Sequence, residues 1–112
     1  MLAIEHKRGA TFSYDAAVTD ETTGAAVDLT GYTVTAQLRS RVGLALVATA
    51  TVTLADQSTR PGVFAVTVDA ATTATWTAGD VLLTDVRLVE PGGAVHATQT
   101  ISITVVERVT AP

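Results

Sequence analysis

The sequence predicts an all-β fold: an antiparallel sandwich of about seven or eight short strands, with one helical turn near residues 70–76. Three observations predict it. Apolar and polar residues alternate with period two through run after run, the signature of strands with one face in a core. Turn signals interrupt these runs every ~8–12 residues, which is sandwich spacing. Alanine and the β-branched valine and threonine dominate while aromatics make up only 4% of the 112 residues. Those β-branched side chains are stiff at χ1 and suit a pleated surface better than a helix.

The elements follow in chain order. Leu2 to His6 reads as an N-terminal arm over residues 1–8 or as an edge strand, with a single sandwich domain at 9–112. In "TFSYDAAVT" Phe12, Tyr14, Ala16 and Val18 face one way, and Ser13 and Asp15 the other. "DETTGAA" is a polar hairpin turn in which Gly24 is free to take positive φ. After Asp28-Leu29-Thr30-Gly31, Tyr32, Val34, Ala36 and Leu38 form an apolar row opposite Thr33, Thr35, Gln37 and Arg39. A short connection around Val42-Gly43 leads into "LVATATVTL", read as one strand with Leu46, Ala48, Ala50, Val52 and Leu54 in a row. "ADQSTRPG" is a loop, and "VFAVTVD" sets Phe64, Val66 and Val68 together. Asp69 is placed to cap a helical turn by accepting from free amides beyond it. Trp76 ends that turn over the core and Gly79 closes it. "VLLTDVRLV" is a strand, "EPGGA" a turn, and "VHATQTISITVVERV" carries the last one or two strands with Ile101, Ile103 and Val105 buried.

Composition bounds the function. The net charge of −4 provides no basic footprint for nucleic acid. Without cysteine there is neither a disulfide framework nor a thiolate metal site. "MLAIEHKRG" places charges where a secretion signal needs an apolar run, and no apolar stretch approaches the ~20 residues of a membrane-spanning helix. The expectation is synthesis in a cytoplasm, with any other location reached by assembly.

Sites of chemistry are hard to build from these residues. His6 and His96 lack the HxH or HExxH spacing of metal ligands and read as surface histidines. Asp80 and Asp85 lie at odd spacing, on opposite strand faces. Asp20, Glu21 and Asp28 surround a turn but do not follow the alternating oxygens of a calcium loop. No serine sits in a GxSxG elbow, and "EPGGA" lacks the Lys-Ser/Thr of a phosphate loop. Thr49, Thr51 and Thr53 form a row, but Gln37, Arg39 and Val47 interrupt the ranks an ice-binding face requires. Trp76 is the one large aromatic able to dock a sugar, yet core packing is the simpler use, as it is for Tyr14 and Tyr32. The reading is a non-enzyme without cofactor or metal.

The segments "GATF" (Gly9 to Phe12), "TDETTGAAVDLTGYTV", "AQLR", the helical turn before a glycine and "TDVRLVEPGG" together resemble small virion proteins of tailed phages. The layout is similar to the Ig-like N-terminal domain of phage baseplate upper proteins. Ala10 stands where that family has Asp, and Thr84-Asp85-Val86 where Tyr-Asp-Leu is usual. The resemblance implies an Ig-like sandwich that binds other virion subunits and performs no catalysis. A chain of this length fits a capsid decoration or cement protein, bound in many copies to the major capsid protein, ahead of a tail or baseplate adaptor. A glycan-binding sandwich displayed on the particle is a third reading. Self-association as a dimer or trimer would cover exposed edge strands; no nucleic acid or membrane is expected, and the location is the virion, assembled in the host cytoplasm. The expected contact residues are Leu2, Ile4, Lys7 and Arg8 of the arm, mixing apolar and basic character against an acidic neighbour, and Arg39 and Arg41, which can pair bidentately with carboxylates.

Overall fold

The computed structural model describes residues 2–110; Met1, Ala111 and Pro112, at the ends of the expected arm and domain, lie outside the described residues. Nine strands and one helical turn follow one another: β1 (Leu2–Lys7), β2 (Phe12–Ala17), β3 (Thr33–Ser40), β4 (Leu46–Thr49), β5 (Thr51–Leu54), β6 (Val63–Val68), α1 (Ala70–Thr73), β7 (Val81–Val89), β8 (Val95–Ala97) and β9 (Ile101–Val106). They form two sheets. One runs β1-β9-β7-β3-β4 with β8 beside β7, and the other runs β2-β6-β5. Pairing is antiparallel except for β1, which lies parallel to β9. This is the Ig-like sandwich order, with β2, β6 and β5 facing a sheet that holds β3, β7 and β9 at its centre.

The alternating rows build the interior. Phe12, Leu38, Val68, Trp76, Leu82, Ile103 and Val105 pack at one end of the core, and Leu29, Ala36, Phe64, Val66, Val86 and Leu88 at the other. Half-buried Tyr14 and Ala50 touch both groups. Asp69 caps α1 as its chemistry dictates, its Oδ1 accepting from Thr72 N at 2.8 Å. Trp76 follows and is 3% exposed, so it is a plug in the core and offers no ring to a sugar.

One departure from the sequence reading raises the strand count. "LVATATVTL" is two strands in different sheets. At Ala50 the chain donates one last bond to Ala36 O of β3 (2.9 Å) and crosses to pair with β6. Alternation survives the crossing because both sheets face the same core, which is why the run looks continuous. The last segment forms two strands, β8 and β9, beside β7, the larger of the two counts expected for it. At the break Thr98 N donates to Val86 O and Thr98 Oγ1 accepts from Val86 N, both at 3.0 Å, so side chain and backbone together repair the ladder.

Loop "ADQSTRPG" is fastened by a residue the sequence reading passed over. Gln57 Oε1 accepts from Leu29 N (3.0 Å) and Gly62 N (2.8 Å), and its Nε2 donates to Ala55 O and Val63 O. Gly62 is obligatory there: its φ is +80°, and a Cβ would lie 2.5 Å from Val18 O.

Candidate interaction surface

The expected contact residues do not form one surface. The arm is the edge strand β1, parallel to β9. Leu2 is exposed, whereas Ile4 packs against the core beside Phe12 and Trp76. Arg8 is held within the chain: its Nε donates to both carboxylate oxygens of Glu107 (3.0 and 3.1 Å) and its Nη1 to Ala74 O and Trp76 O just beyond α1. A cation at the end of a helical turn satisfies carbonyls that the turn leaves free. Lys7 is exposed beside it, and Arg108 lies over Gly9, where any side chain would collide with it. Thr73, fully buried, locks this end: its Oγ1 donates to Ala10 O at 2.7 Å and accepts from Gly9 N at 3.0 Å.

His6 corrects the surface reading of the histidines. Its ring is half-buried, 5.2 Å from Phe12 and 5.8 Å from Trp76 in edge-on contacts, and its Nε2 is 2.9 Å from Ala10 O. His96 is exposed as expected and belongs to a polar chain at the β7–β8 turn. Glu90 Oε1 accepts from Tyr32 Oη at 3.2 Å, and Glu90 Oε2 lies 3.1 Å from His96 Nε2. These two partners, His96 first, hold the Glu90 carboxyl below its ordinary range. Burial pushes the Tyr14 phenol up. The neighbouring Thr84 hydroxyl opposes that rise from outside bonding geometry, and both hydroxyls are buried without a hydrogen-bond partner among the described residues.

The feature that composition did not announce is the β3–β4 hairpin and the sheet face beside it. Turns are ordinarily polar, yet "RVGLALV" places Val42, Leu44, Leu46 and Val47 in solvent at 82%, 56%, 52% and 37% exposure. Its signal in the sequence is apolar residues on both parities around a turn glycine. The hairpin closes through Ser40 N to Ala45 O at 2.9 Å and is tied to β7 by Arg41 N to Val81 O at 3.0 Å. Gly43 (φ 76°) and Leu44 (φ 55°) are both left-handed, which costs a side-chain-bearing residue about 1–2 kcal/mol. Arg39 braces the strained residue, donating from Nη1 to Leu44 O at 3.0 Å and from Nη2 to Gln37 Oε1 at 2.9 Å. Arg41 itself is exposed on the turn.

Alternation in β7 buries Leu82, Thr84, Val86 and Leu88, and so turns Leu83, Asp85 and Arg87 outward. Register sets Gln37 opposite Asp85 and Arg39 opposite Leu83. Together with Leu44 these residues line a shallow concavity of about 350 Å³. The surface offers apolar area, one strained leucine and charges of both signs: the chemistry of a protein contact.

No protein-family model matches the chain, and no curated protein matches it in sequence. Among solved structures, murine CRIg is similar over 92% of this chain and 91% of that one, with 11% identity and a TM-score of 0.47.

Proposed function

We propose that this chain is a non-catalytic structural protein of a tailed-phage virion, in first place a decoration or cement protein bound in many copies to the major capsid protein. The observation that carries a docking role is the β3–β4 hairpin, whose apolar side chains are held out in solvent on a backbone that Arg39 braces. A braced apolar projection loses little conformational freedom when a neighbour covers it, so more of the burial appears as affinity. Repeated over a particle, modest contacts of this kind add by avidity. The virion setting rests on the resemblance carried by "GATF", "AQLR" and "TDVRLVEPGG".

A tail or baseplate adaptor is the second reading, favoured by the likeness of the same segments to baseplate upper proteins. Densitometry of purified particles separates the two. Hundreds of copies per virion support the capsid reading and tens or fewer the tail reading. Absence of the chain from washed particles removes both.

A further inference from the structure

We infer that the outer face of the six-stranded sheet binds a second copy of the chain across a two-fold axis. The argument starts from charge. Arg39 and Asp85 sit on adjacent strands of one face, separated diagonally by the Gln37–Asp85 and Arg39–Leu83 register. Their charges do not meet: Arg39 spends its guanidinium hydrogens on Leu44 O and Gln37 Oε1, and Asp85 has no ion pair among the described residues. A face holding an unpaired cation and an unpaired anion side by side is complementary to itself. A two-fold axis lying in the contact plane between them sets each Arg39 over the partner's Asp85, twice, as an isologous interface requires. The same axis brings Leu83 towards the partner's Leu83 and Gln37 towards the partner's Gln37, so an apolar and an amide contact lie between the two ion pairs.

Area allows this occupant. Strands β1, β9, β7, β3 and β4 are six, six, nine, eight and four residues long, so at roughly 3.4 Å per residue and roughly 4.8 Å between strands their outer face spans about 540 Å². That is about two thirds of the roughly 800 Å² each partner gives to an interface of standard size, which places the contact at the weaker end. The inference goes beyond the virion reading and stands or falls separately, because self-association is measured on the isolated chain.

The test is sedimentation equilibrium of the full chain, with Arg39→Asp and Asp85→Arg examined singly and mixed. Wild type is expected to be a dimer at about 100 μM. Each single reversal replaces two attractive contacts by two repulsive ones and should raise the dissociation constant by about a hundredfold or more. Mixing the two variants restores both ion pairs, so a heterodimer forms where neither variant alone self-associates. Because Arg39→Asp also removes the brace on Leu44, cross-linking on an otherwise native chain provides an independent readout. With no native cysteine, Leu83→Cys should give a covalent dimer with a short bis-maleimide, and Thr53→Cys on the opposite sheet should not. A monomeric wild type, single variants that dimerise as tightly as wild type, a mixture that stays monomeric, or cross-linking through Thr53→Cys instead would each overturn the inference.

Discussion

Gln57 shows how much one side chain can hold. Its amide uses both acceptor lone pairs and both donor hydrogens on backbone groups of Leu29, Ala55, Gly62 and Val63. Truncation strands four partly buried groups, each costing about 1–3 kcal/mol if water cannot replace the bond. Gln57→Ala should therefore destabilise the chain by about 2–4 kcal/mol in urea unfolding; a loss under about 1 kcal/mol would mean that the loop is held by other contacts. Nothing in "ADQSTRPG" announces this, because a glutamine in a polar loop looks solvated until the fold brings Leu29 to it. Asp69 is the opposite case: its bond is local, so type and spacing alone revealed it. Hydrogen bonds also set the pH response. Asp28 (from Thr30), Asp56 (Ser58), Asp69 (Thr72), Glu90 (His96, then Tyr32) and Glu107 (Arg8) are all held below their ordinary values of 3.8 and 4.5. With folded values below unfolded ones, their contribution is complete above the ordinary values and lost as pH falls through the lowered ones. Tyr14 lies on the other side: burial raises it from 10.0, so stability falls as pH rises beyond 10 towards the raised value. Tm should therefore fall on the acid flank below about pH 4 and on the alkaline flank above about pH 10. A Tm that rises on acidification below pH 4 would contradict these assignments.

At the scale of elements, period-two alternation made the inward rows legible, from Phe12 and Tyr14 in β2 to Ile103 and Val105 in β9. It could not reveal the crossing at Ala50, since an inward residue is inward in either sheet. Nor could it reveal the strain at Leu44, because a left-handed backbone usually declares itself through glycine or asparagine. The β3–β4 hairpin thus keeps a leucine where glycine is the easier residue. Leu44→Gly relieves the left-handed penalty, so thermal stability should hold or rise by up to about 1 kcal/mol. The same change removes an exposed apolar side chain from the proposed contact, so particle occupancy in reconstitution should fall. A variant that loses stability would show that Leu44 serves the fold and not a partner.

Across the whole molecule, the order β1-β9-β7-β3-β4 against β2-β6-β5 decides which residues share a surface. Alternation says which side of a strand faces the core, but not which strand lies beside it. For that reason Arg39 was legible as a contact candidate, while its neighbours Leu83 and Asp85, 44 and 46 residues further along, were not. The same topology places Leu2–Lys7 at a sheet edge as β1, and Arg8 just beyond it closes the end of α1. The β3–β4 hairpin beside the outer sheet face keeps Val42 and Leu44 in solvent. The most direct measurement is a density map of the intact particle that traces this chain. The account predicts the sandwich bound to another virion subunit with Val42 and Leu44 buried in that contact. A chain absent from the particle, or present with the hairpin open to solvent, would contradict it.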